Sequence, residues 1–474
     1  MGCLEEQPLL SELLTRLLGE QSSLLKDSKN IVVKRWSEIC LISIVLVYIA
    51  VQCVYFIPLP VVGVHGWNES VYLSIIENSF KHDDPFLFQA AYDPYRPDYN
   101  VGFAFFWGSF AFLKSLNGFV SIGYSNFQLL ARSFSLISTV TSALMLYVLI
   151  TMLFRNKSIS LLVSALFLSL PLTLHFGAKY QLEPFIFALF VASMLLLVQF
   201  ISSRKYLYLI SCYALYGLVL GTRQNMGVYL PALLCIQGFT FITKETGKLN
   251  FKYFKCWLYS PETVTAISIL VCFTLLPAFI TNLIYPQFAP INFFIRRIFA
   301  SPKMALYTGY QENLITLYAN KSLIPSLGFS FVYALAALFI ALKLEKNTKI
   351  IYFSLYFSGL VYFLFAFRHN IIHMFHSFYF LLPVLLSVAI CASYILSKAG
   401  RKIGYIILIS ALLLQVIQSF FIIQNYYGVA TDRVYTQIDG YANAHSVLAG
   451  CFINNFYAFL KENNLVSQNS VSYV

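Results

Sequence analysis

Residues 129–154 read LLARSFSLISTVTSALMLYVLITMLF, and the chain runs on through Arg155-Asn156-Lys157 into a second apolar stretch, 158–176, SISLLVSALFLSLPLTLHF. The first stretch carries one charge, Arg132, in 26 residues. A helix needs roughly 20 apolar residues to cross a hydrocarbon layer. A helix on the surface of a soluble protein would show a polar stripe instead. Two apolar runs of membrane length joined by a short basic turn therefore read as a membrane hairpin, and the same pattern recurs on both sides.

The composition agrees. Of 474 residues, 59% are hydrophobic and 11% charged, against roughly 25% charged in an ordinary soluble domain. Mean hydropathy is +0.71. A soluble fold of this length has no way to hide so much apolar surface. That excludes a cytosolic enzyme, a disordered tail protein and a secreted disulfide scaffold. Blocks of about 20 residues, rather than alternating segments of about 10, exclude a β-barrel. The nine cysteines are scattered without a CxxC pair, which disfavours a zinc or disulfide framework.

Eleven spanning helices are expected, at about 38–60, 129–154, 158–176, 182–202, 206–222, 226–243, 263–284, 323–342, 350–367, 374–397 and 403–424. With the N-terminus in the cytoplasm, 19 of the 32 Lys and Arg fall on the inside, where the turns are short and almost purely basic. This satisfies the positive-inside rule and explains the net charge of +12 without nucleic acid. The long connections, 61–128 and 285–322, and the tail 425–474 all fall outside. A protein that spends its chain on one face works on that face. The expected division is a cytoplasmic amphipathic segment 1–36, a membrane domain 37–424 and an extracytoplasmic tail 425–474. Leu9, Leu10, Leu13, Leu14, Leu17 and Leu18 form one helical stripe in the first segment.

The chemistry-bearing residues gather at the expected outer ends of helices. The first loop holds Asn68-Glu69-Ser70-Val71-Tyr72 and six of the 20 acids, including Asp83 and Asp84. A carboxylate at the bilayer interface beside Trp67 and Tyr72 is partly desolvated, which raises its basicity and suits Glu69 to act as a general base. The alternative is a solvated loop acid. Asn68-Glu69-Ser70 is also a glycosylation sequon. His175-Phe-Gly-Ala-Lys179-Tyr180-Gln-Leu-Glu183 follows the third helix. Lys179 and Glu183 are spaced to pair with each other, or to hold an anion and orient a substrate. Arg132, Arg223 and the run Arg368-His369-Asn370-Ile-Ile-His373-Met-Phe-His376-Ser-Phe-Tyr379 complete the set. His369 and His373 have a spacing that can ligate a metal, but no carboxylate accompanies them, and interfacial anchoring is the blander reading. Arg and Lys donors facing carboxylates suit a phosphate leaving group and a nucleophile.

This order of motifs resembles the GT-C glycosyltransferases of the protein O-mannosyltransferase and aminoarabinose-transferase type, which include lipopolysaccharide-core sugar transferases. The likeness covers roughly 38–400. It rests on Asn68-Glu69-Ser70-Val71-Tyr72 where the family has Asp-Glu-x-x-Tyr, and on Asp93-Pro94-Tyr95-Arg96-Pro97 ahead of an amphipathic stretch, 101–116. It rests further on Arg132 to Ser135, on Lys179 and Glu183, and on Arg368, His376, Tyr379 and Pro383. The resemblance implies an all-α polytopic membrane protein, a GT-C-like bundle of about 11 transmembrane helices whose first outside loop carries juxtamembrane helices. It also implies an inverting enzyme that takes sugar from a dolichyl- or undecaprenyl-phosphate donor. The acceptor would be a lipid, glycan or protein, and nucleic acid is not expected. The membrane would be the plasma membrane in a prokaryote or the endoplasmic reticulum in a eukaryote.

The chain departs from the family where Asn68 stands in place of the usual catalytic Asp. Glu69, Asp83 or Asp84 then takes the base role, or the protein is a catalytically silent lipid-binding scaffold. A transporter is the other class considered; it would place binding residues near the bilayer midplane and show related halves. Whether a divalent cation assists the leaving phosphate stays open.

Overall fold

The computed structural model describes residues 28–57, 66–85, 103–119, 124–246, 252–284, 323–365, 374–425 and two short pieces, 448–449 and 472–473. Apart from one two-residue parallel pairing, Leu448–Ala449 with Ser472–Tyr473, the described residues outside turns are helical. The leucine stripe 9–18 and the long loop 285–322 lie outside the described residues.

Within the described residues each of the eleven apolar blocks is helical, 158–176 in two pieces. α1 is Ser28–Val51, continued by a π-helical turn over Gln52–Phe56. The first loop supplies α2, Gly66–Lys81, and α3, Phe103–Asn117. The bundle proper follows with α4 (Tyr124–Phe154), α5 (Lys157–Ser169), α6 (Pro171–Phe176), α7 (Leu182–Ser203), α8 (Tyr206–Thr222) and α9 (Leu230–Thr246). Then come α10 (Lys252–Leu258), α11 (Pro261–Ile284), α12 (Ile324–Leu327), α13 (Ser330–Ala341), α14 (Lys346–Phe365), α15 (Phe378–Lys398) and α16 (Arg401–Asn425). Six of these stretches are long and apolar enough to cross a membrane by length and composition, and four shorter apolar helices accompany them.

Local chemistry sets the turns. Asn156 caps α5, its Oδ1 accepting from the amides of Ser158 (3.0 Å) and Ile159 (3.2 Å), which satisfies donors that have no partner inside the helix. The block 158–176 does not form one helix. Leu170 is extended, with ψ 143°, because the residue before Pro171 is driven out of the helical region. α6 restarts at that proline.

α15 is the axis of the bundle. Every residue from Phe378 to Ala392 is buried, and α15 packs against α5, α7, α13, α14 and α16. α16 is the opposite case: Ile403, Ile406, Leu413, Leu414, Ile417 and Phe421 are exposed along it. An apolar face of that size faces lipid rather than water. α8 and α11 approach closely through Gly217 and Gly221. A β-carbon on Gly217 would stand 2.7 Å from Cβ of Phe273 and 2.9 Å from the carbonyl of Leu270, the small-residue contact by which apolar helices pack.

Candidate functional site

Helix alternation puts five segments at one end of the bundle: the start of α4, the α6–α7 turn, the α8–α9 turn, the start of α15 and the first-loop helices. The basic turns at Arg155 and Arg204 lie at the other end. The expected chemistry-bearing residues meet at the first end in two adjoining clusters.

The first cluster centres on Glu69, in the first turn of α2 and wholly buried. Arg132 grips it from the third turn of α4: Nε donates to Oε1 at 2.7 Å and Nη2 to Oε2 at 2.9 Å. The backbone amide of Tyr180 donates to Oε1 at 2.9 Å. Arg132 itself is 1% exposed, and its Nη1 donates to the carbonyl of Ile57 at 2.6 Å, where α1 ends. Charged groups so far from water are stable only when paired and hydrogen-bonded, and this pair is. The expectation of a raised basicity for Glu69 is corrected. Burial alone pushes the carboxyl upward, but the charges of Arg132 and Lys179 and the Tyr180 amide hold it below its ordinary value.

Lys179 does not pair with Glu183 along a helix, because α7 begins at Leu182. Its Nζ lies 5.7 Å from the ring centre of Phe176, and it bears electrostatically on Glu69. Burial, outweighing the pull of Glu69, brings its pKa down to about 8. The segment around it is fixed from outside. Tyr48 Oη donates to the Thr173 carbonyl (2.9 Å), Gln52 Nε2 to Leu174 (2.9 Å) and Thr139 Oγ1 to Gly177 (2.7 Å).

The second cluster is Glu183, Arg223 and Tyr379. Arg223 Nη2 donates to Glu183 Oε1 at 2.7 Å and its Nε to the Tyr379 hydroxyl at 2.9 Å. That hydroxyl donates to Glu183 Oε1 at 3.2 Å. Tyr229 Oη donates to the carbonyl of Tyr379, and the buried ring of His376 lies 5.2 Å from that of Tyr379. Tyr72, buried one turn past Glu69 on α2, packs edge-on against Phe105 and Phe106.

Glu69, Arg132, Lys179, Glu183, Arg223, His376 and Tyr379 are therefore brought together. Asp83 is not part of this group: it closes α2 with φ 54°, pairs with Lys114 at 2.7 Å, and its side chain is 75% exposed. Asp84 adjoins it at the same exposed helix end. Arg368, His369, His373 and the Asn68 side chain lie outside the described residues. Among the described residues no group of three His, Cys, Asp or Glu is placed to hold a metal ion. Sequence reading missed Gln52, a lone amide in an apolar span, which is the one available signal of a polar contact inside a bundle. It also missed Tyr48, Thr222 and Gln181, which carry no pattern.

No protein-family model and no curated protein matches the chain. Among solved structures it is similar to the oligosaccharyltransferase of Archaeoglobus fulgidus. One crystal structure of that protein, tethered to an acceptor peptide containing the NVT sequon via a disulfide bond, aligns with TM-score 0.51 and 12% identity over 93% of this chain and 59% of that one. A second, in complex with Zn and sulfate, aligns with TM-score 0.51 and 14% identity over 92% of this chain and 58% of that one. The chain thus spans under three fifths of that protein's length. At such identity the likeness is one of fold, an all-α polytopic membrane bundle.

Proposed function

We propose that this protein is an integral-membrane glycosyltransferase that moves a sugar from a polyprenyl-phosphate donor to an acceptor on the extracytoplasmic face. One observation carries the reading. At a single end of a GT-C-like bundle, three cations (Arg132, Lys179 and Arg223) stand against two carboxylates, Glu69 and Glu183, among the described residues of the two clusters. The excess positive charge sits beside apolar helices that can admit a lipid tail, and its natural counterpart is a lipid phosphate.

In this reading the fixed cations are aimed at charge that grows on the phosphate as the glycosidic bond breaks. Pre-ordered donors in a dry site stabilise such charge without reorganising at the moment of reaction. Lys179 and Arg223 are less deeply buried than Arg132. Arg132 is committed to Glu69, so that pair fixes α2 over the site. His376 and Tyr379 form the wall next to the phosphate, with Arg368, His369 and His373 just before them in sequence. The finer identity of the donor, dolichyl- or undecaprenyl-linked, and the O-mannosyl- or aminoarabinose-type assignment belong to the same proposal. So do the inverting course and the cytoplasmic N-terminus.

The test is incubation of purified protein with radiolabelled polyprenyl-phosphate sugars and a membrane extract. Label is expected to move from the carrier to a lipid, glycan or protein. Substrate flux through proteoliposomes without covalent transfer would make it a transporter. Donor binding without turnover would make it a silent scaffold.

A further inference from the structure

The carboxylates of the two clusters, Glu69 and Glu183, differ in one respect that bears on their roles. Glu69 is saturated: Oε1 accepts from Arg132 and Tyr180, and Oε2 from Arg132. Glu183, 1% exposed, directs Oε1 at both Arg223 and Tyr379, while its Oε2 is buried with no hydrogen-bond partner among the described residues. An unpaired buried carboxylate oxygen is costly, and an orphan of this kind in a native structure calls for an explanation. Residues next to Glu183 and to its partner Arg223 repeat the pattern. Both amide atoms of Gln181, the hydroxyl of Thr222 and Nε2 of Gln224 are also buried without partners among the described residues. Thr222 and Gln224 flank Arg223, and Gln181 lies two residues before Glu183. One anionic acceptor and several neutral donors and acceptors, all held dry, match the hydroxyl groups of a sugar.

Resting on the glycosyltransferase reading above, we propose that Glu183, not Glu69, is the catalytic base, and that the nucleophile is a hydroxyl of a polyhydroxylated acceptor. The acceptor O–H gives its proton to Glu183 Oε2, and the oxygen's electron pair forms the new bond to the sugar's anomeric carbon. The bond from that carbon to the phosphate oxygen breaks, and its electron pair leaves with the lipid phosphate. The Glu183 proton then passes to solvent or to that phosphate, restoring the carboxylate. Arg223 and Tyr379 fix Oε1, so that Oε2 alone faces the substrate.

The experiment uses full-length protein, radiolabelled polyprenyl-phosphate sugar and the membrane extract, with donor retention measured alongside transfer. Glu183→Gln keeps the shape and is expected to lose transfer by about 100-fold or more, the usual worth of a general base, while retaining labelled donor within about threefold. Transfer within about tenfold of wild type overturns the inference, and so does a loss of donor retention as large as the loss of rate. If a lone half-buried Arg223 unfolds the single variant, Glu183→Gln with Arg223→Gln removes both charges together. It is expected to elute as monodisperse protein without transfer, and transfer within about tenfold of wild type overturns the inference there too. A wild-type protein that transfers nothing defeats the glycosyltransferase reading itself. A wild type and a Glu183→Gln variant that both transfer defeat only the role of Glu183.

Discussion

Glu69 and Arg132 are 1% exposed or less and complete each other. Removing one partner leaves an uncompensated charge in the dry interior, at a cost of about 3–5 kcal/mol. Glu69→Gln is therefore expected to lower the melting temperature of the detergent-solubilised protein sharply. Glu69→Gln with Arg132→Met should recover much of that loss, as a double-mutant thermal series would show. Lys179 adds a pH dependence. Its folded pKa is about 8 against the ordinary 10.5, so the folded chain binds this proton less tightly than the unfolded chain. Below pH 8 the lysine is charged in both states and the burial penalty is fully present. Between pH 8 and 10.5 only the unfolded chain keeps the proton, so stability rises with pH through that window. Affinity for an anionic donor should move the other way, falling about tenfold from pH 7 to 9, and Lys179→Met should flatten both trends in paired melting and donor-binding titrations. Sequence reading found these residues but misjudged their chemistry. Glu69 was legible as an interfacial acid, yet Arg132 lies 63 positions away in the chain. Nothing local to Glu69 shows that its basicity is suppressed. Lys179 and Glu183 looked like a helical pair, but Gln181 is extended with ψ 158° and the helix starts only after it, so their partners come from α2 and α8 instead.

The helices were far more legible than the site, because a run of apolar residues specifies a spanning helix without reference to distant parts of the chain. Pro171 marked a boundary in the sequence, and the break it makes has a consequence that the sequence did not show. The segment between α6 and α7 leaves the helical path, and the carbonyls of Leu174 and Gly177 are met by Gln52 and Thr139, while Tyr48 adds a second donor to the Thr173 carbonyl that accepts from the Gly177 amide. Gln52→Leu keeps the volume of α1 but removes the donor to Leu174. An unsatisfied buried carbonyl costs about 1–3 kcal/mol, so that variant should melt earlier and should also weaken donor binding by releasing the Lys179 segment. Gly217 tests the other side of the site. Filling the space against Phe273 and Leu270 forces α8 away from α11, an overpacking cost of about 1–3 kcal/mol. Because Arg223 follows directly on α8, Gly217→Leu should reduce transfer along with stability, whereas lipid-facing Ile406→Leu should change neither in the same assays.

At the scale of the whole molecule, the two ion clusters described above are on one side. Arg132, Lys179, Glu183 and Arg223 sit at helix ends reached by alternate turns, and the turns at Arg155 and Arg204 occupy the opposite end. That polarity follows from helix order and does not depend on which side faces the cytoplasm. The positive-inside rule gives the orientation expected under the proposed function, with the basic turns opposite the site in the cytoplasm. Two exposed positions make the orientation measurable. Phe119, 89% exposed just after α3, is at the site end, and Lys205, exposed in the α7–α8 turn, is at the other. In a chain with its native cysteines replaced, a membrane-impermeant maleimide applied to sealed vesicles of known orientation should label the Phe119→Cys variant from the extracytoplasmic side only. The Lys205→Cys variant should be labelled only after permeabilisation. The reverse pattern would put the ion cluster on the cytoplasmic face, where soluble nucleotide sugars could reach it, and a lipid-linked donor would lose its rationale. Labelling of both variants from one side would contradict the helix count itself, because an even number of crossings would then have to separate residues 119 and 205, whereas α4, α5 with α6, and α7 make three.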